Sequence, residues 1–160
     1  MKKVYLGNKP LTTLATREEG GGGGNDDVVK GFSEGSITSV DIPSGTEKIR
    51  DYAFYYCKSL SSVTIPNSVT LIGKSAFFGC ASLSSVTIPN SVTLIGQSAF
   101  FFCKSLTSVT IESTTKLTYY ANAFKNIASN AVLRVPSDIV DAYKADSKWS
   151  SAFGGGIVAI

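Results

Sequence analysis

Apolar residues recur along this chain with a period of 23. Ile37, Leu60, Leu83 and Leu106 are in register, as are Val40, Val63, Val86 and Val109, and then Ile42, Ile65, Ile88 and Ile111. Farther along each unit come Ile49, Ile72 and Ile95, then the pairs Ala53-Phe54, Ala76-Phe77 and Ala99-Phe100, and finally a cysteine. The segments Ser59 to Ala81 and Ser82 to Lys104 differ at only three positions. A fourth unit drifts: "TKLTYYANAFKNI" holds one extra residue before Ala123-Phe124 and sets Ile127 where the other units have cysteine.

Within a unit, the spacing LxxVxI places Val and Ile on one side of an extended strand and the residues between them on the other. Pro43, Pro66 and Pro89 follow the strand and have no amide hydrogen for a continuing ladder, so pairing stops there and the chain turns. The next stretch, "NSVTLIGKSAFFGC", alternates less cleanly and predicts an irregular or short-helical return. A unit of this size cannot bury its own apolar side, so coils must stack, Phe on Phe and Cys on Cys. The fold class is therefore an α/β repeat: a short solenoid with a parallel sheet of about five strands. Repeats start near residues 36, 59, 82 and 105, inside an array over 28–130.

The array is flanked on both sides. Residues 1–27 are an N-terminal segment and a Gly-rich linker, "EEGGGGGNDD", with the boundary near Asp27. The linker lacks the Lys-Ser/Thr and following helix of a phosphate-binding loop. The opening "KKVYLGNKPLTTL" holds a strand candidate at Val4 to Leu6. It reads as an attachment peptide, a fragment of a preceding domain, or part of a phage structural protein. Residues 131–160 form a capping unit. In it Val132, Leu133 and Val135 supply a last strand before Pro136, and Ser137 N-caps a short amphipathic helix from Asp138. Asp138 and Asp141 lie in its first turn, and Ile139, Tyr143, Trp149 and Phe153 cover the end of the core.

Composition narrows the function. With 160 residues, 43% of them apolar, the chain builds one domain with a real core, and its formal charge of +3 is spread over scattered Lys and Arg. A nucleic-acid footprint would cluster them. No apolar run reaches the length of about 18 needed to cross a bilayer, and "MKKVYLGNKP" lacks the apolar stretch of an export signal. Cys57, Cys80 and Cys103 are spaced by the repeat, unlike a zinc site or a disulfide framework, and read as buried free thiols. The alternative is an occasional disulfide between neighbouring coils or a reactive surface thiol. The chain contains no histidine, and repeats two and three carry only Lys74 and Lys104 as charged groups. No nucleophile has an evident activating base, so no catalytic, metal or cofactor residues are assigned.

Two surfaces are candidates for binding. The outward strand positions form columns, Ser39, Ser62, Ser85 and Ser108 beside Asp41, Thr64, Thr87 and Thr110, a polar strip almost without charge. Ser62, Thr64, Ser85, Thr87, Ser108 and Thr110 are its centre, a shallow face suited to glycans or extended polymers; plain solvated β-surface is the other explanation. The second surface is aromatic: Tyr55, Tyr56, Phe78, Phe101 and Phe102, after the Ala-Phe pairs. Packing between coils is the competing account of those rings.

The order Leu60, Val63, Ile65, Pro66, Val69, Ile72, Ala76, Phe77 and Cys80 resembles the BspA-like, or Treponema-type, leucine-rich repeats, whose unit reads approximately LxxLxLPxxLxxIxxxAFxxCxx. The likeness spans roughly Ser36 to Ile127. It implies a right-handed solenoid and a bacterial secreted or cell-surface protein that adheres to host matrix, other cells or polymers, hence a protein or glycan partner. It transfers no binding residues, because the motif describes the core. Three functions follow for comparison: an adhesion module, a structural spacer such as one in a phage or prophage particle, and an enzyme, for which no site is found. The missing export signal keeps an intracellular or phage location open beside the surface one.

Overall fold

The structure, a computed structural model, describes residues 38–160 and the backbone of β1 (Tyr5–Leu6) and β2 (Lys9–Pro10), which pair antiparallel. The Gly-rich linker, the boundary near Asp27, Val4 and Ile37 lie outside the described residues.

Each coil contributes to three walls. The first carries β3 (Ser39–Asp41), β5 (Ser62–Thr64), β7 (Ser85–Ile88), β9 (Ser108–Ile111), β11 (Val132–Val135) and β12 (Gly156–Ala159). All its pairings are parallel, β3 with β5 and then β7, β9, β11 and β12 in order, so the ladder is interrupted between β5 and β7. Register follows the repeat: Val40 lies opposite Val63, and Val86 opposite Val109. The prolines end the strands as their chemistry requires: the carbonyls of Pro43, Pro66 and Pro89 accept from the amides of Thr46, Val69 and Val92 at 3.1, 3.0 and 3.1 Å. The chain then enters a second parallel sheet of two-residue strands, β4 (Lys48–Ile49), β6 (Leu71–Ile72), β8 (Leu94–Ile95) and β10 (Thr118–Tyr119).

The third wall is a run of turns rather than a helix. Its amides divide between two duties. Those of Ala53, Tyr55 and Cys57 close local turns onto Arg50, Tyr52 and Phe54, while those of Tyr52, Phe54 and Tyr56 donate to Lys74, Ala76 and Phe78 of the next coil. The price of this alternation is left-handed backbone at two positions per coil: Tyr52, Ser75, Ser98 and Asn122 at one, Tyr56, Gly79, Phe102 and Asn126 at the other. All eight have φ between 52° and 72°, a region that costs a side chain with a Cβ roughly 1–2 kcal/mol.

The core runs the length of the array. Phe54, Phe77, Phe100 and Phe124 stack with centroids 5.1, 5.1 and 5.3 Å apart and planes within 11° of parallel. Leu60, Leu83 and Leu106 and the strand residues Ile88 and Ile111 are fully buried around them. Ile127 is half-buried and packs against this core, consistent with an apolar duty at the cysteine position.

At the C-terminal end Trp149 and Phe153 are buried against Phe124, with centroids 5.8 and 5.3 Å from it, and buried Tyr143 packs on Trp149 at 4.8 Å. Ile139 is only half-buried. Two expectations need correction. The segment Val132–Val135 is not the last strand, because β12 pairs beyond it, Leu133 opposite Ile157. Nor does Ser137 cap a helix from Asp138: residues Ser137–Ile139 form a single 3-10 turn, and the Ser137 hydroxyl donates to Asp138 Oδ1 at 3.4 Å. The helices are α1 (Val140–Lys144) and α2 (Ser147–Ala152), and Asp146 caps the second by accepting from the Lys148 amide at 3.0 Å.

Candidate binding surface

The parallel register of the first wall converts a sequence repeat into columns of side chains. Ser62 lies beside Ser39 and Thr64 beside Asp41; Ser85 lies beside Ser108 and Thr87 beside Thr110. Ser62, Thr64, Ser85 and Thr87 are exposed, and Ser108 and Thr110 half-exposed. The columns run on to Val132 and Arg134, so the neutral strip is bounded by Asp41 at one end and Arg134 at the other.

Two sets of hydroxyls contrast among the described residues of the repeats. One group joins coils: Ser68 donates to Thr46 O at 2.8 Å, Ser91 to Val69 O at 2.7 Å, Thr70 to Glu47 O at 3.1 Å and Thr93 to Thr70 O at 3.2 Å. These replace contacts with water by contacts with the preceding coil. The other group is the strip itself, where the hydroxyls of Ser62, Thr64, Ser85, Thr87, Ser108 and Thr110 bond to nothing else among the described residues. The strip therefore presents a regular array of unpartnered donors and acceptors to solvent.

The five aromatic residues are also brought together, on the third wall. Tyr55, Phe78 and Phe101 stack coil on coil, with centroids 5.0 and 5.1 Å apart. Tyr56 and Phe102 meet this ladder edge to face, 4.8 Å from Tyr55 and 4.5 Å from Phe101. Phe78, Phe101 and Phe102 are half-buried, and Tyr55 and Tyr56 are each 37% exposed. Much of the rings' surface is consumed by ring-on-ring packing.

A third feature escaped the sequence reading. Leu71 and Leu94, outward neighbours of the core residues Ile72 and Ile95, form with Lys74, Gln97 and Tyr120 an open groove of about 470 Å³ over the second sheet. The signal was present in the repeat, as a Leu before each core Ile, but a two-residue strand is too short to announce an outward face. The three cysteines are free thiols. Cys80 and Cys103 are buried and donate from Sγ to the carbonyls of Phe54 and Phe77 at 3.2 and 3.1 Å. Burial pushes the Cys103 thiol up to about 12 and the half-buried Cys57 thiol up to about 11, and raises Cys80 further with help from its two neighbours. Among the described residues no group of three or more His, Cys, Asp or Glu is placed to hold a metal ion.

Comparison with known proteins agrees with this architecture. The model of the BspA type leucine-rich repeat region matches residues 29–145, with six copies. The chain belongs to this family of leucine-rich repeat proteins. A leucine-rich repeat protein from Bacteroides ovatus, solved by crystallography, is similar in fold: the TM-score is 0.59 at 24% identity, over 79% of this chain and 37% of that one. The chain thus spans little more than a third of that protein's length. No curated protein matches.

Proposed function

We propose that this chain is a non-enzymatic binding module of a bacterial cell-surface protein, which holds a protein or glycan partner against the Ser/Thr columns of its first wall. The observation that carries this reading is the division of hydroxyls. Where the repeat needs them to join coils they are bonded to the neighbouring coil, and on the strip they are left open in a periodic, almost uncharged array. A flat face of that kind binds through many weak hydrogen bonds rather than one deep pocket, and repetition multiplies them. Membership of a leucine-rich repeat family supports a role in interaction. Among the described residues no helix is long and apolar enough to cross a membrane.

The reading is tested by comparing the intact chain with a Thr64→Arg/Thr87→Arg variant for binding to immobilised matrix proteins and polysaccharides. Both side chains are exposed, so the fold tolerates the change while the strip is blocked.

A further inference from the structure

The fourth coil is where the repeat stops being a copy. The column Tyr55, Phe78, Phe101 ends in Lys125, and the column Tyr56, Gly79, Phe102 ends in Asn126. The Phe102 amide donates to the Lys125 carbonyl at 3.2 Å, so the aromatic ladder runs directly into this pair. Together with α2 they line an open cleft of about 400 Å³, which falls within the range of small-molecule sites, roughly 300–1,000 Å³.

The lining has a distinct chemistry. Lys125 and Lys148 bring positive charge, Asn122, Asn126, Ser129 and Ser151 bring neutral donors and acceptors, and no Asp or Glu lines the cleft. Lys148 is fixed in place: its ammonium donates to the Tyr119 carbonyl and lies 4.1 Å from the centroid of the Tyr119 ring. Lys125 is exposed, and neither it nor the side-chain amides of Asn122 and Asn126 has a partner among the described residues. Asp146, the acid that precedes α2, is occupied by Lys116 at 2.8 Å. Ile127, Ala128 and Ala152 add an apolar portion to the same cleft.

We propose that this cleft binds the carboxylate-bearing sugar residue of an acidic glycan. The carboxylate meets the ammonium of Lys125 in the field of Lys148, the ring hydroxyls meet the amides and serines, and the C–H face of the sugar meets the apolar portion. An acidic peptide would satisfy the lysines but would leave most of the neutral groups unmatched. The site lies off the Ser/Thr strip and does not rest on the reading of that surface.

The test is calorimetric titration of the full chain with sialyllactose and with tetragalacturonate, against lactose, tetragalactose and a hexaglutamate peptide. One or both acidic sugars bind, at least tenfold more tightly than the neutral sugars and the peptide. Lys125→Gln and Asn126→Gly, which keeps the left-handed backbone, each weaken that binding about tenfold or more. The proposal is overturned if neither acidic sugar binds at millimolar concentration, if neutral sugars bind equally well, or if Lys125→Gln has no effect. Equal or tighter binding of hexaglutamate also overturns it and assigns the cleft to acidic peptides.

Discussion

The ring of Tyr56 occupies the space that a side chain at Gly79 would need: a Cβ there would lie 2.9 Å from Tyr56 Cδ1. Both residues are left-handed, at φ of 56° and 72°. The column thus alternates large, absent, large through Tyr56, Gly79 and Phe102, and this explains one of the three differences between the two near-identical repeats. The Tyr56 ring leans over the next coil, which leaves it room at Gly79. Gly79→Phe copies the residue that is native at 102, yet it is expected to destabilise the protein by about 2 kcal/mol or more through overpacking and backbone strain. Urea denaturation measures this; an unchanged midpoint would show that the ring of Tyr56 yields freely.

Gly96 illustrates a different constraint. Its φ is ordinary, but a Cβ would lie 2.6 Å from the carbonyl carbon of Gly73 and from the amide nitrogen of Lys74. Backbone cannot swing aside as an exposed ring can. Gly96→Ala is therefore expected to cost about 3 kcal/mol, more than Gly79→Ala, although Gly79 is the one with the left-handed conformation. The reverse order in thermal unfolding would contradict this account of coil spacing.

The buried amide of Leu117 donates to the hydroxyl oxygen of Tyr143 at 2.8 Å, which ties α1 to the coil before it. Tyr143 is fully buried, and no water can replace the lost acceptor without entering the core. Tyr143→Phe keeps the ring and its packing on Trp149 but orphans the amide, for an expected loss of about 1–3 kcal/mol. Chemical denaturation of the variant checks the value, and amide exchange at Leu117 checks the cause.

Stability should fall on the alkaline side. The thiols of Cys57 and Cys103 are held up at about 11 and about 12, from an ordinary value of 9.0, and burial raises Cys80 in the same direction. The folded state keeps its protons where the unfolded chain gives them up. The stabilisation is complete below pH 9 and is lost as pH rises toward the folded values. Each fully buried thiol steepens the fall by about 1.4 kcal/mol per pH unit once the unfolded thiol is ionised. Melting temperatures from pH 7 to 11 test this, and Cys103→Ala should flatten the alkaline limb while lowering its plateau.

The strands of the first wall were legible because Leu, Val and Ile at fixed spacing leave one arrangement that buries them all, and the prolines mark where each ladder ends. The left-handed positions were hidden. Tyr52, Ser75, Ser98 and Phe102 occupy them where Gly or Asn would have given a local signal, since bonds to the next coil override propensity there. Strand β12 was missed because "GGGIVAI" carries no trace of the 23-residue unit and is placed only by pairing with β11. The candidate strip was visible as a period of two, but Thr64 and Thr70 look alike in the sequence. Only the structure separates the free hydroxyl of one from the other, which is bonded to Glu47 O. The cleft beside α2 depends on residues from two parts of the chain and on the one coil that departs from the pattern.

The central claim is that the Ser/Thr strip is a binding face, and one measurement addresses it most directly. The intact chain and Thr64→Arg/Thr87→Arg are passed over surfaces bearing host matrix proteins and mucosal or bacterial polysaccharides, with circular dichroism confirming that both proteins melt alike. The account predicts saturable binding by the intact chain to at least one surface and its loss, by tenfold or more, in the variant. Equal binding by both proteins would place the contact elsewhere, and no binding by the folded chain to any surface would make the repeated coils a spacer.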